Sequence, residues 1–252
     1  MWNLKNKTAL VTGGTKGIGK STVKEFLSLG AKVIFTSRNK HDINAITKEF
    51  SKDRNEVYGL VSDVSKEEDL QSLKDFAEEK FNHLDILVNN AGINIRKAAL
   101  DYTEAEYQKI IQINLTAPFL LSRLLHDLLK KSSHASIINV ASIAARQDVR
   151  SGAPYGMAKA GLLQQTRNLA VEWAPEHIRV NAVSPWYTET PLTVSVLENK
   201  EKFKKIKDCT PMNRIAQPEE MANVITFLAM DKSSYITGQN IIVDGGMSIS
   251  AL

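Results

Sequence analysis

Seven short stretches rich in apolar and β-branched residues punctuate the chain, at 8–11, 32–36, 57–61, 86–89, 136–140, 179–183 and 240–243. Runs of that length without polar alternation fit strands buried on both faces. Longer stretches of helical pattern lie between them, so the order predicts βαβ repetition. Right-handed crossovers then build an α/β fold, a doubly wound, seven-stranded parallel sheet with helices on both faces. Its ligand crevice opens at the carboxyl ends of the strands.

Residues with chemistry to offer sit at those ends. The first strand runs into Thr12-Gly13-Gly14-Thr15-Lys16-Gly17-Ile18-Gly19 and a helix, the fourth into Asn90-Ala91-Gly92, and the fifth into Ser142. Tyr155 and Lys159 follow near the start of the next helix, where a spacing of four puts both on one face. The longest irregular segment, about 186–212, is where a substrate loop is expected, because extended loops in compact domains carry function. Its basic part, 200–207, with Phe203 and Ile206 at helical spacing, reads as a flap.

Composition narrows the class. The 252 residues show no shift that marks a boundary, and one domain spanning 1–252 is expected. No apolar run is long enough to cross a bilayer, and no signal peptide is expected, because the opening Met1-Trp2-Asn3-Leu4-Lys5 passes straight into the first strand. Cys209 is the only cysteine, which excludes an internal disulfide and a thiol–metal cluster and fits a cytoplasmic location. No metal is expected. The net charge of +4 comes from lysines interleaved with acids, as in Lys66-Glu67-Glu68-Asp69, which is a solvated surface and not a nucleic-acid footprint.

A phenol beside an ammonium can give or take a proton near neutral pH, because the fixed charge favours phenolate and lowers the phenol pKa. Tyr155 and Lys159 are such a pair. Strand, glycine turn and helix together form a dinucleotide site: Gly13 permits the tight turn, Gly17 lets backbone approach a pyrophosphate, and Gly19 lets helix pack on sheet.

Thr12-Gly13-x-x-x-Gly17-x-Gly19, Asn89-Asn90-Ala91-Gly92, Asn114, Ser142, Tyr155 and Lys159 stand in the order and spacing of the short-chain dehydrogenase/reductase family, which the chain resembles over nearly its whole length. Asp63-Val64, Arg179-Val180-Asn181, Arg214 through Pro218-Glu219-Glu220, and Asp244-Gly245-Gly246 extend the match. The resemblance implies a Rossmann-type sheet in the order 3-2-1-4-5-6-7. It also implies contact of Asp63 and the Val64 backbone with an adenine, and Asn90, Ala91 and Gly92 along the ribose and nicotinamide, with Asn89 bracing the sheet. Pro185, Thr188 and Thr190 would lie at the nicotinamide end, and the resemblance further implies a homo-oligomer, tetramer or dimer. Asp63 would serve equally as a helix N-cap.

The end of the second strand bears on the cofactor. It reads Thr36-Ser37-Arg38-Asn39, with no acid before Asp42. NAD sites carry an acid there for the ribose hydroxyls, NADP sites a base for the 2′-phosphate. Arg38, Ser37 and, from the glycine turn, Lys16 therefore predict NADP(H) over NAD(H), with Asn39, Thr15 and Ile18 as further cofactor-binding candidates.

The expected reaction is hydride transfer to a carbonyl carbon. Tyr155 would protonate the oxygen, Ser142 would bond it, Lys159 would tune Tyr155 and bind the ribose, and Asn114 would hold a water leading to Lys159. An amide among Ile110, Ile111, Ile113 and Leu115 is costly to bury unless its hydrogen bonds are met, which favours a specific role for Asn114. The chain departs from the family after the sixth strand, where Ser184-Pro185-Trp186-Tyr187-Thr188 replaces the usual Pro-Gly. With Trp2 and the Thr36–Asn39 turn, Trp186 resembles the tropinone-reductase-like branch, whose members reduce cyclic or hydrophobic ketones. Trp186, Tyr187, Leu192, Val194, Val196 and Leu197 suggest an apolar pocket for a compact ketone, with Thr188, Thr190 and Arg96 as polar exceptions and no acid for a substrate amine. Two rivals remain: a 3-oxoacyl-carrier-protein reductase that receives its acidic carrier on Arg96, Lys97, Arg146 or Arg150, and a nucleotide sensor that kept the fold and lost turnover.

Overall fold

The computed structural model describes residues 2–53 and 56–250, so residues 1, 54–55 and 251–252 of the expected domain lie outside the described residues. Strands β1 (Thr8–Val11), β2 (Lys32–Ser37), β3 (Val57–Val61), β4 (Ile86–Asn89), β5 (Ala135–Val140), β6 (Ile178–Pro185) and β7 (Asn240–Val243) form one parallel sheet. Its order is β3-β2-β1-β4-β5-β6-β7, as the resemblance implies.

The helices are α1 (Gly17–Ser28), α2 (Lys40–Phe50), α3 (Glu67–Lys80), α4 (Glu104–Ile111), α5 (Ala117–Leu124), α6 (His126–Lys130), α7 (Ala153–Trp173), α8 (Val194–Leu197), α9 (Lys200–Asp208) and α10 (Pro218–Ala229). Strand alternation divides the core between the two faces. Ala9, Val11, Val33 and Phe35 pack with Phe26 of α1, Ile46 of α2 and Ile225 of α10, while Leu10, Ile34, Leu87 and Ile137 pack with Leu73 of α3, Leu121 of α5 and Leu169 of α7. Burying each of these large side chains contributes about 1.5–3 kcal/mol.

Three strands run beyond the expected stretches because pairing with a neighbouring strand, and not hydropathy along the chain, sets where the backbone ladder ends. Ser37 pairs with Val61, Ala135 with Ile178 and Pro185 with Val243. The segment expected to be irregular also differs: within 186–212 the chain forms α8 and α9. Local chemistry explains α9, since Asn199 caps it by accepting from the Lys202 amide at 3.0 Å. Glu201–Lys205 and Lys204–Asp208 then pair along its exposed side at 2.6 Å each, and Ile206 is buried.

Candidate functional site: a glycine turn and a Ser–Tyr–Lys cleft

The β1–α1 turn is built to approach an anion. Gly13 and Gly17 have φ of +67° and +52°, and no side chain caps the start of α1, which leaves its first amide N–H groups for a ligand. At Gly19 a Cβ would lie 2.2 Å from the Gly13 carbonyl oxygen, so the helix can meet its own turn only through glycine. The end of β4 is tied to the same turn: the Thr12 hydroxyl accepts from the Asn90 and Ala91 amides at 3.0 Å each, and Asn90 Nδ2 donates to the Thr12 and Gly13 carbonyls at 2.9 and 3.2 Å. Asn89 points instead into the core, where Nδ2 donates to Asn139 Oδ1 at 2.9 Å and Ser122 Oγ at 3.2 Å.

Ser142 follows β5, and Tyr155 and Lys159 face it from the first two turns of α7. The Ser142 hydroxyl caps a short turn by accepting from the Ala144 amide at 3.1 Å and also interacts with the Tyr155 phenol. Lys159 is 4% exposed, donates to the Val140 carbonyl at 2.8 Å and stands 5.7 Å from the centre of the Tyr155 ring. Burial lowers the Lys159 pKa to about 8. The expectation that Lys159 depresses the Tyr155 pKa is corrected here. Burial pushes the phenol above its ordinary value, and the groups pulling it back are Ser142 and the charge of Arg96; Lys159 is turned to the Val140 carbonyl.

Asn114 lies behind this trio, fully buried, in a single π-helical turn (Gln112–Thr116) between α4 and α5. The widened turn brings Nδ2 to the carbonyls of Ile93 and Ile110 at 3.0 and 2.9 Å and Oδ1 to the Ile93 amide at 3.3 Å. A Cβ at Gly92 would meet Asn114 Oδ1 at 2.9 Å and Lys159 Nζ at 3.7 Å, so all three converge on one spot. The π turn was not legible in the sequence; the polar residue in an apolar helical run was its only trace.

On the other side of the glycine turn, Ser37, Arg38 and Asn39 follow β2, and Asp63 and Val64 follow β3. Ser37 Oγ accepts from the Asn39 amide at 3.3 Å, and Asn39 caps α2 by accepting from the Asp42 amide at 3.1 Å. Lys16 Nζ pairs with Asp42 at 2.7 Å. Asp63 is not an N-cap for α3: its Oδ1 accepts from the Ser65 amide and hydroxyl at 3.0 and 2.7 Å. Burial opposes its charge, but those bonds and the nearby Arg38 outweigh it and hold its pKa below the ordinary value. The Val64 side chain packs in the core beneath. Thr36 Oγ1 and Ser62 Oγ are buried at this end without a partner among the described residues. Open amides, positive charge and unpaired hydroxyls fit a phosphorylated nucleotide.

The cleft holds about 260 Å³. Gly13, Lys16, Gly17, Ile18, Asn90, Ala91, Gly92, Ser142, Tyr155, Lys159, Pro185, Trp186, Tyr187, Thr188, Thr190 and Leu192 line it, whereas Thr15, Gly19, Ser37, Arg38, Asn39, Asp63, Val64 and Asn114 do not. Trp186 donates from Nε1 to Thr210 Oγ1 at 3.1 Å and stacks edge-on against Tyr187. Of the residues expected to make the pocket apolar, Trp186, Tyr187 and Leu192 line it, while Val194, Val196 and Leu197 belong to α8 outside the lining; Arg96, expected as a polar exception, lies inside it. Asn94, Val149, Ser151 and Thr193 also line the cleft and were not singled out in the sequence. For Asn94, its place just beyond Asn90-Ala91-Gly92 was an available signal.

A family model described as enoyl-(acyl carrier protein) reductase matches residues 13–248 of this chain. The chain is 44% identical over 250 residues to a tropinone reductase homolog of Arabidopsis thaliana, covering 99% of this chain and 95% of that protein. This chain belongs to the short-chain dehydrogenase/reductase family.

Among solved structures, this dehydrogenase/reductase superposes with a TM-score of 0.94 on a gluconate 5-dehydrogenase from Burkholderia cenocepacia in complex with NADP and tartrate, at 26% identity over 99% of this chain and 98% of that one. It superposes with a TM-score of 0.93 on levodione reductase, at 27% identity over 98% and 99% of the two chains. This dehydrogenase/reductase is therefore a nicotinamide-cofactor oxidoreductase of the tropinone-reductase-like group. Among its described residues no helix is long and apolar enough to cross a membrane.

Proposed function

We propose that this oxidoreductase is an NADPH-dependent carbonyl reductase, one domain over 1–252 with 186–212 as its substrate loop. The observation that carries this reading is the opening of Ser142, Tyr155 and Lys159 into the same cleft as the glycine turn. A bound nicotinamide supplies the hydride for the carbonyl carbon. Tyr155, kept protonated at neutral pH by burial, delivers a proton to the carbonyl oxygen, and Ser142 bonds the same oxygen. Lys159 binds the nicotinamide ribose, and the free lone pair of Asn114 Oδ1 holds a water on the way to Lys159. Arg38 and Lys16 receive the 2′-phosphate, framed by Ser37 and Asn39; the Lys16–Asp42 pair, with Lys16 exposed and Asp42 half-buried, exchanges at a cost of about 1 kcal/mol or less. The Trp186, Tyr187 and Leu192 wall takes the hydrocarbon body of a compact, cyclic ketone.

The test is NADPH oxidation with a panel of cyclic ketones, 1,2-diketones and a 3-oxoacyl thioester. A cyclic ketone is expected to turn over with a KM for NADPH well below that for NADH. An equal or lower KM for NADH removes the NADPH preference, and a thioester far ahead of free ketones moves the function to carrier-linked substrates. Silence with NADPH bound favours the sensor.

Lys159 sets an expected pH dependence. Its ammonium is present below about 8 and lost above. If that charge binds cofactor, kcat/KM for NADPH falls as pH rises through that value, because this ratio reports the free enzyme. Lys159→Met should lower the plateau and flatten the alkaline limb; an unchanged limb would remove Lys159 as its source.

We also propose a homo-oligomer, dimer or tetramer, from the exposed Phe119 of α5 and Met157 and Val171 of α7, and a cytoplasmic location from the lone Cys209. Gly161 is not available for that contact, since a Cβ there would meet Leu115 of the same chain at 2.9 Å. Light scattering that gives a monomer would overturn the assembly.

A further inference from the structure

The cleft is electrostatically one-sided. Its described lining contains Lys16, Arg96 and Lys159 and no carboxylate. Two of these cations are accounted for: Lys16 pairs with Asp42, and Lys159 is buried against the Val140 carbonyl. Arg96 is different. It makes no ion pair among the described residues, its Nη1 reaches only the Leu192 carbonyl at 3.3 Å, and its Nε is buried without a partner. A guanidinium cannot shed its proton, so an unpaired N–H inside a cleft is a standing cost unless a ligand meets it. Its field reaches both phenols of the cleft, lowering the pKa of Tyr155 and Tyr187 against their burial. Two residues earlier, Asn94 lines the same cleft, and its Oδ1 is also buried and unpartnered.

We propose that the carbonyl substrate carries a carboxylate, that Arg96 binds it, and that Arg96 thereby sets specificity for oxo acids over neutral ketones. The inference rests on the carbonyl-reductase reading and names the substrate class of that site. The ring or chain of the oxo acid lies on Trp186 and Tyr187, its carboxylate meets the guanidinium fork, and Asn94 Oδ1 accepts from a neighbouring hydroxyl. The carboxylate takes no part in the redox step: the carbonyl carbon gains hydride from NADPH, its oxygen gains the Tyr155 proton, NADP⁺ leaves, and Tyr155 recovers its proton from solvent. A ketone bearing an ammonium group meets cations and no counter-charge, so it is disfavoured here.

The experiment compares 3-oxo- and 4-oxocyclohexanecarboxylate with their methyl esters, which differ in charge and keep the ketone. The wild type is expected to favour an acid over its ester by roughly 10- to 100-fold in kcat/KM. Arg96→Met should lose about that factor on the acid, mainly through KM, and a clearly smaller factor on the ester, where only the effect of its charge on Tyr155 is removed; Arg96→Lys should recover part of the loss on the acid. NADPH affinity and melting temperature of both variants confirm folding. Equal turnover of acid and ester by the wild type, or an equal loss on both in Arg96→Met, overturns the inference and leaves the reductase standing. If neither class turns over, the reductase reading fails, and calorimetric titration of the acid into NADP-loaded protein decides the site: binding lost in Arg96→Met supports it, and no binding overturns it.

Discussion

Tyr155→Phe is expected to lower turnover by about 10²- to 10⁴-fold while NADPH still binds within about threefold of the wild type. The substitution removes one oxygen and leaves the ring, and the ring carries the packing: Tyr155 is 9% exposed and sits with Ile110, Ala144 and Ala158. The phenol interacts with the Ser142 hydroxyl, whose cap on the Ala144 amide survives without it. Stability should therefore change by less than about 1 kcal/mol, the net worth of one hydrogen bond. Single-turnover NADPH oxidation, paired with fluorescence titration of the cofactor, separates chemistry from binding. Retained turnover would remove Tyr155 as the proton donor, and a joint loss of turnover and NADPH affinity would point to a collapsed site.

Asn114→Ala is expected to destabilise the protein by about 2–4 kcal/mol, because it strands the Ile93 amide and the carbonyls of Ile93 and Ile110 in a fully buried position. In a chain of this size that corresponds to a fall in melting temperature of roughly 5–15 °C. Asn114→Leu keeps the volume and removes the polarity, so it should be nearly as unstable. Urea unfolding of both decides the cause. If Leu restores stability, packing and not hydrogen bonding held the site together. Turnover should fall in both variants, since the Ile93 segment and Gly92 that Asn114 pins form one wall around Lys159.

How much of this was legible depended on the range of the interactions involved. The strand cores of β1, β3, β4 and β7 were read to the residue: β1 and β4 are buried throughout, as strands covered on both faces must be, and the edge strands β3 and β7 are only partly buried but keep largely apolar runs. β6 was read short, since Pro185 adds no apolar signal and its place beside Val243 is a property of the neighbouring strand. The Tyr155–Lys159 spacing identified two side chains on one helix face, a local fact. It could not say that Lys159 would spend its proton on the Val140 carbonyl or that burial would bring its pKa to about 8, because those depend on a strand nineteen residues away.

The βαβ order and the glycine turn were set by the sequence alone, since short-range periodicity and backbone sterics specify them wherever the chain goes, and the spacing of Tyr155 and Lys159 put them forward as candidate reacting groups. Only the tertiary structure decided the rest. It closed the π turn around Asn114, tied Thr12 to Asn90, raised the Tyr155 pKa and brought Arg96 unpaired into the cleft. Burial and charge proximity join residues distant in the chain, and the energy of a polar group depends on which neighbours replace its water.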